Sequence, residues 1–309
     1  TYFDPEHVVQ VEITVDEEDW DLLRNESRTF FSEFMGDCMA QPFSNDYTTV
    51  PASVSIDGQV QPTVGIRKKG FIGSQSTEKP SLKINIDEYI VGAELFGVDN
   101  VTFNNAVQDP SLIRQCMAYG VFAKAGYPAP RCNFAHVWVN DNDLGIYAHV
   151  EPIKRSFLRD RFGNDDGDLY EGTLSDFRSQ YMRTFAVKNL ETDASLQPLI
   201  ELMAVLEGGE ATLTEIGEIL DIDMFLTFRA LESITGHWDG YNGNLNNYFL
   251  YRDPSTNKFV FIPWGLDDTF DPEALDSPPF VASVLAHTIL QDAEGAERFE
   301  RRVIELFDT

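Results

Sequence analysis

The sequence predicts an α+β chain with a sheet-rich first half and a mainly helical second half. Three observations lead there. Alternation of apolar and polar residues recurs through residues 1–150, as in Val8-Val9-Gln10-Val11-Glu12-Ile13-Thr14-Val15. Apolar residues at helical spacing dominate after Glu151. No repeat, low-complexity tract or flexible linker interrupts the chain, so the simplest division is a strand-rich lobe over 1–150 and a helical lobe over 151–309.

Element by element, Asp16 is placed to cap a short helix carrying Trp20, Leu22 and Leu23. Residues 25–46 read as an irregular, Phe-rich loop. Asp57-Gly58 between two alternating runs is the clearest hairpin signal, and its second strand runs into Arg67-Lys68-Lys69-Gly70. A turn at Phe71-Ile72-Gly73-Ser74-Gln75-Ser76 precedes another alternating run over 81–87. Asp109-Pro110 offers an N-cap and an N1 proline, so a helix is expected from Asp109 through Leu112, Ile113, Met117, Val121 and Phe122 to a stop at Gly126. Strands over 133–139 and 144–150 flank a turn at Asn140-Asp141-Asn142-Asp143. Helices are expected over 152–161, 195–206 and 223–235, with one hairpin, 247–252 and 259–262, around Pro254-Ser255-Thr256-Asn257.

A content of 43% hydrophobic and 12% aromatic residues is that of a chain with a packed core. The formal charge of −28 argues against a nucleic-acid partner, which requires basic surface. Such acidity suits a secreted protein, a salty habitat or a surface that collects divalent cations, and solvated acidic faces account for most of it. Cys38, Cys116 and Cys132 lack metal-ligand spacing; their odd number leaves one bridge with a free thiol, or three buried thiols, as alternatives. No apolar run approaches the length of a membrane span. The sequence opens at Thr1 with neither Met nor signal peptide, which is compatible with a removed leader, and stops at Phe307-Asp308-Thr309 inside a helical pattern, which is compatible with flanking domains.

The most informative stretch is His237-Trp238-Asp239-Gly240-Tyr241-Asn242-Gly243-Asn244-Leu245-Asn246-Asn247-Tyr248. His237, Asp239 and Asn244 fall on the His, the base Asp and the metal-binding Asn of the protein kinase catalytic loop, H-R-D-L-x-x-x-N. The segment Pro263-Trp264-Gly265-Leu266-Asp267-Asp268-Thr269-Phe270 follows a strand, where a kinase keeps its second metal-binding acid. Phosphoryl transfer asks a protein for positioned charge rather than covalent chemistry. Asp239 is then the expected base, and Asn244 and Asp267 the expected oxygen ligands of Mg²⁺ or Mn²⁺. An Asn/Gly-rich turn with local side-chain bonds is the alternative, and it explains neither His237 ahead nor the acidic segment behind.

The phosphate-binding lysine should lie on a strand of the first lobe, where Lys79 and Lys83 are the candidates. Arg67, Lys68, Lys69, Lys79 and Lys83 make up five of the 23 basic residues, a natural anion site in so acidic a chain, although solvent-facing lysines on a hairpin would look the same. Between those strands, Gly70-Phe71-Ile72-Gly73-Ser74 could turn backbone N–H groups toward phosphates. Glu151 could pair a basic residue, face an adenine pocket or simply favour a helix N-terminus before Pro152. Arg114 is best read as bridging to an acidic neighbour. His7, His136, His149 and His287 have no zinc-site spacing, and no G-x-S-x-G or Cys-His arrangement suggests a hydrolase.

These residues resemble the spore coat protein H (CotH) kinases over most of the chain. The resemblance takes in Arg67 to Gly70, Lys79-Pro80-Ser81-Leu82-Lys83-Ile84, Phe96-Gly97, Asn104-Asn105 and Asp109-Pro110-Ser111 with Arg114. It continues through Gly145-Ile146-Tyr147 with Glu151 and Gly167-Asp168-Leu169-Tyr170, and is most specific from Asp239 to Tyr251 and at Pro263-Trp264. It implies an atypical protein-kinase-like fold of two lobes that uses ATP and a divalent metal to phosphorylate Ser/Thr, with spore coat proteins as the known substrate class. Asp239 matches the family's catalytic Asp, Asn244 lies in its Asn-rich block, and Asp267 matches the acidic position after Pro-Trp. The family often reads Pro-Trp-Asp-x-Asp, and Gly265 stands where the first Asp would be. Asp268, beside Asp267, is a further metal-binding acid able to compensate for Gly265, because hard cations tolerate several oxygen arrangements.

The resulting expectation is an extracellular or cell-surface kinase with ATP between its lobes, phosphates near Lys79 or Lys83 and the loop over 70–76, and acceptors on another protein or on the chain itself. Two readings from other classes stand beside it. One is a catalytically weak binding or adhesion module with structural Ca²⁺, suggested by Gly265, the charge and the acidic loop Asn164-Asp165-Asp166-Gly167-Asp168. The other is an enzyme that transfers AMP on the same fold.

Overall fold

Alternation at the start of the chain becomes strand β1 (Val8–Val15), in which Val9, Val11, Ile13 and Val15 are buried and the residues between them are exposed. The structure, a computed structural model, describes residues 2–29, 33–34, 37–43, 47–188, 195–209, 211–272, 275 and 281–308. Its mixed sheet and helix content makes it an α+β protein. The chain divides into two compact units: Thr1–Met35, Ser44–Met117 and Pro130–Phe157 form one, and Gly36–Phe43, Ala118–Ala129 and Leu158–Thr309 the other.

In the first unit, Asp16 caps helix α1 (Glu17–Asn25) by accepting the Glu18 N–H at 2.9 Å, and Leu23 rather than Leu22 is the buried residue. Part of the Phe-rich segment that follows lies outside the described residues. Strands β2 (Val50–Ile56) and β3 (Gln59–Lys69) meet at a two-residue turn, with Asp57 and Gly58 at φ +48° and +79°, the left-handed pair a tight hairpin demands. Strand β4 (Ser81–Asn85) pairs with β3, and β5 (Asn100–Asn104) with β4. Strand β5 was not anticipated, although Asn100-Val101-Thr102-Phe103-Asn104 alternates; all five of its residues, the polar ones included, are buried.

The helix expected from Asp109 begins instead at Arg114, as α2 (Arg114–Lys124). Asp109 closes a tight turn, accepting from Ser111 N at 2.9 Å, Ser111 Oγ at 2.6 Å and Arg114 N at 2.8 Å. Leu112 sits at φ +65°, outside helical space, and Ile113 and Met117 are exposed rather than core-facing. Arg114 lies beside Asp109, with Nε 3.5 Å from Oδ1. The stop at Gly126 is as expected, in the left-handed conformation.

Strands β6 (Cys132–Val139) and β7 (Asn142–Val150) share a turn of only Asn140-Asp141, shorter than the four residues expected. Among the described residues seven strands close a barrel in the order β1-β2-β3-β4-β5-β7-β6, and the parallel β1–β6 pair seals it. The core is the inward-facing set, including Val11, Ile13, Val54, Ile66, Leu82, Ile84, Phe103, Val137 and Tyr147. A disulfide joins Cys116 of α2 to Cys132 of β6, while Cys38 is a free, partly buried thiol, which settles the cysteine alternatives.

The helix expected over 152–161 is α3 (Arg155–Phe162), three residues late. In the second unit, β8 (Leu169–Gly172) and β9 (Ala186–Val187) were not legible as strands. Helix α4 (Gln197–Glu207) matches the expected segment. Helix α5 (Leu213–Ile219), not anticipated, starts with a capping box in which Thr212 and Glu215 satisfy each other's backbone N–H groups. Helix α6 (Ile222–Thr235) is capped by Asp221 and buried along most of its length.

The one-turn helix α7 (Tyr241–Asn244) precedes the expected hairpin of β10 (Tyr248–Asp253) and β11 (Lys258–Pro263). These strands extend into a sheet ordered β11-β10-β8-β9. Phe261 of β11 lies 4.7–5.3 Å, centroid to centroid, from Phe225, Phe228, Tyr241 and Tyr248, forming the aromatic core under α7. Helices α8 (Val284–Gln291) and α9 (Ala293–Phe307) complete the described chain. Among the described residues no helix is long and apolar enough to cross a membrane.

Candidate active site

The loop carrying Asp239 starts where α6 ends, at Gly236 in the left-handed conformation. Its anchor is Glu232, a buried carboxylate in the last turn of α6. One Glu232 oxygen accepts the Tyr241 N–H at 2.9 Å; the other accepts the Asn242 N–H at 3.3 Å and the Asn242 side-chain amide. The orphan N–H groups that open α7 are thereby satisfied from below. Gly240 is required here, since a Cβ would lie 2.1 Å from Glu232 Oε1. His237 is buried and its imidazole is pushed down to about 3 by that burial, so it serves this loop as a neutral packing group.

Three amides converge on Asp239. Asn244 Nδ2 donates to Oδ1 at 2.6 Å, Asn247 Nδ2 donates to Oδ2 at 2.7 Å, and Asn246 Nδ2 lies 3.4 Å from both oxygens. Burial raises the Asp239 carboxyl above the ordinary range, the Asn244, Asn246 and Asn247 amides pull it down, and the nearby Asp267 charge raises it again. Donors on a carboxylate favour its ionised form, so the cage opposes both burial and the neighbouring charge.

The second acidic segment is tied to the same loop. The Trp264 N–H donates to the Asn247 carbonyl at 3.1 Å, and Trp238 Nε1 donates to Asp268 Oδ2 at 2.9 Å. Phe270 N donates to the Thr235 carbonyl at 2.7 Å, returning the chain to the end of α6. Asp239, Asn244, Asp267 and Asp268 are thus brought into one neighbourhood of the second unit. Among the described residues no three His, Cys, Asp or Glu side chains form a group able to hold a metal ion. The donor set at hand is Asn244 with Asp267 and Asp268, oxygen ligands suited to a hard divalent cation. The fit is reasonable: Asn244 uses its amide nitrogen on Asp239, which leaves its carbonyl oxygen for a cation, and a cation would relieve the repulsion between Asp239 and Asp267.

The candidate anion site lies in the barrel unit. Arg67 and Lys83 face each other across β3 and β4, on the outward side opposite the core residues Ile66 and Ile84. Lys79 is engaged elsewhere: its ammonium donates to the Ile146 carbonyl at 2.7 Å and lies 4.9 Å from the centre of the Tyr147 ring. Lys68, which the sequence grouped with them, points inward and donates to the carbonyls of Arg24 and Glu26, at 2.9 and 2.6 Å, closing the C-terminus of α1.

The loop at 70–76 is a short 3₁₀ turn (Ile72–Ser74), in which the Gly70 carbonyl accepts the Tyr47 hydroxyl at 3.0 Å and Gly73 is exposed. Asn105 Nδ2 clamps it, donating to the carbonyls of Ser74 and Lys79 at 2.8 Å each. Glu151 is buried and pairs with Arg131, accepting its N–H at 2.9 Å and its guanidinium. Helix α3 begins only at Arg155, so Glu151 does not stand in a helix first turn. In the acidic loop, Asp165 pairs with Arg159 at 2.7 Å, and Asn164 bonds to Tyr251 and Asp253.

Sequence reasoning missed Glu232, Asn246 and Asn247. The two asparagines were visible in the Asn-rich block, but Glu232 carried no signal that set it apart from Asp223 and Arg229, the other charges of the same mostly apolar helix.

The sequence model of the family described as CotH kinase protein matches residues 66–298. Inner spore coat protein H of Bacillus subtilis (strain 168) is 26% identical over 189 residues, 56% of this chain and 51% of that protein. Two proteins of Rhizopus delemar are similar as well: Invasin CotH3, 24% identical over 230 residues (64% of this chain, 38% of that one), and Invasin CotH2, 25% over 232 residues (64% and 39%). The chain therefore spans about half the length of the bacterial relative and less of the fungal ones.

Proposed function

The chain belongs to the CotH kinase protein family, and on that footing we propose that it is an atypical, two-lobed, protein-kinase-like enzyme. It transfers the γ-phosphate of ATP to Ser/Thr hydroxyls of a protein, its own chain included, with Mg²⁺ or Mn²⁺, at the cell surface or outside the cell. The observation that carries this reading is the cage of Asn244, Asn246 and Asn247 around Asp239, set beside Asp267. It gives a carboxylate that burial raises three donors favouring its ionised form, where a hydroxyl proton must be oriented or accepted.

When bound, ATP supplies the phosphoryl group and the divalent cation offsets charge on its oxygens. Asn244, Asp267 and Asp268 would hold the cation. Arg67 and Lys83, opposed across β3 and β4, would take phosphate oxygens, with Gly70, Gly73 and Ser74 contributing from the adjoining loop. Lys79 positions that loop through Ile146, and Glu151 shapes the barrel edge through Arg131. The surface location rests on the spore coat and invasin names of the relatives.

A second reading, a surface-binding module with little catalysis, is favoured by Gly265, which lacks the acid the family often carries there, and by the invasin relatives. The experiment is autotransfer from ATP labelled separately at the α and γ positions, with Mg²⁺ and with Mn²⁺, comparing wild type with Asp239→Ala. Label from γ alone, lost in the variant, is expected. Label from α would make it an AMP transferase, and no label from either position with folded protein would favour the binding module.

A further inference from the structure

Gly265 is not an empty position. It adopts φ +57°, and a Cβ built on it would lie 2.5 Å from Asn247 Oδ1 and 2.6 Å from Asn247 Cγ. The space an ordinary side chain would need is filled by the Asn247 carboxamide. That carboxamide reaches back from the start of the β10 hairpin, its Nδ2 donating to Asp239 Oδ2 at 2.7 Å and to the Asp239 carbonyl at 3.1 Å. The Asn247 carbonyl accepts the Trp264 N–H at 3.1 Å, so the residue is stitched to both loops at once. Its own backbone is left-handed, at φ +55°, a conformation that Asn tolerates better than most residues.

We propose that Asn247 is a positioning residue for the Asp239 carboxylate and that Gly265 is the residue whose bare Cα admits it. The glycine then belongs to a paired arrangement rather than marking a lost ligand. Asn244 and Asn247 bind different oxygens of Asp239, so together they fix the rotation of the carboxylate; removing Asn247 leaves Oδ2 only the longer 3.4 Å contact from Asn246, while Asn244 still holds Oδ1. The inference rests on the kinase reading for its consequence in transfer, but not for the geometry itself.

Its test uses Asn247→Gly, which deletes the amide while suiting the left-handed backbone, together with Gly265→Ala and the double variant. The first readout is the Asn247 side-chain amide in a ¹H–¹⁵N spectrum, identified by its loss in Asn247→Gly. It is expected to shift in Asp239→Ala and in Gly265→Ala; an unmoved signal in either variant overturns the inference, whether or not the protein transfers phosphate. The second readout is kinetic. Asn247→Gly is expected to lower kcat by about tenfold or more with KM for ATP within about twofold, the pattern of a lost transition-state interaction. Gly265→Ala is expected to lower kcat in the wild-type background and to have little further effect when residue 247 is already Gly. Equal losses in both backgrounds would reduce Gly265 to ordinary backbone strain and overturn the pairing. A wild type that transfers nothing sinks the kinase reading alone, and the amide spectrum still decides the pairing.

Discussion

Glu232 holds Asn242 through two donors on one carboxylate oxygen, the backbone N–H at 3.3 Å and the side-chain amide. Asn242 in turn accepts the Ala282 N–H on its carbonyl at 2.9 Å and the Ser283 hydroxyl on its side-chain oxygen at 3.1 Å. A single buried carboxylate on α6 therefore sets the path of the Asp239 loop and of the segment that enters α8.

This arrangement has a pH signature. Burial raises the Glu232 carboxyl from its ordinary 4.5 to about 7, against the opposing pull of the Asn242 amide and the Arg229 charge. Because the folded value lies above the unfolded one, the group's contribution to stability is fully present below about pH 4.5 and is lost as pH rises through about 7. Urea midpoints of wild type and Glu232→Gln, compared from pH 5 to 8, should show the wild type losing on the order of 1–3 kcal/mol relative to the variant. Parallel pH profiles would mean that Glu232 is ionised throughout.

Lys68 should matter to the barrel rather than to any ligand. Lys68→Met keeps the bulk but removes the donor to the Arg24 and Glu26 carbonyls, and should cost about 1–3 kcal/mol. Equilibrium unfolding of the two proteins measures this, and an unchanged midpoint would show that water replaces the ammonium.

Lys79 and Lys83 should separate by phenotype. Lys83→Met is expected to cut γ-phosphate transfer about tenfold or more while leaving the melting temperature near wild type. Lys79→Met, which loses the bond to Ile146, should lower the melting temperature and affect transfer less. The reverse pattern would make Lys79 the phosphate ligand.

The Cys116–Cys132 bridge closes a short loop, with a sequence separation of 16. Replacing both cysteines with Ala should lower stability by about 3 kcal/mol, through the regained freedom of the unfolded chain. Denaturant titration of the variant under non-reducing conditions tests this, and a loss well under 1 kcal/mol would contradict it.

What could be read from residues alone follows from how local each signal was. The Asp57-Gly58 hairpin, the Asp16 cap and the Gly126 stop depend on backbone preferences of a few neighbouring residues, and all three stand in the structure. The Asp109 cap misled by position. Asp-Pro-Ser forms a side-chain-closed turn as readily as a helix start, and the bonds from Ser111 and Arg114 decided for the turn. Strand β5 escaped because its alternation runs over only five residues, and β9 because two residues carry no period.

The sequence by itself determined the α+β composition, the family and the two separate motifs that carry Asp239 with Asn244 and Asp267 with Asp268, because spacing within a short motif survives any arrangement of the rest. Tertiary structure alone decided that β1 closes the barrel against β6, that Lys68 turns inward while Lys83 turns outward, and that Asn247 fills the space at Gly265. Those outcomes rest on contacts between segments far apart in the chain or on which face of a strand is buried. No local propensity encodes them, and packing and hydrogen-bond satisfaction choose among the options.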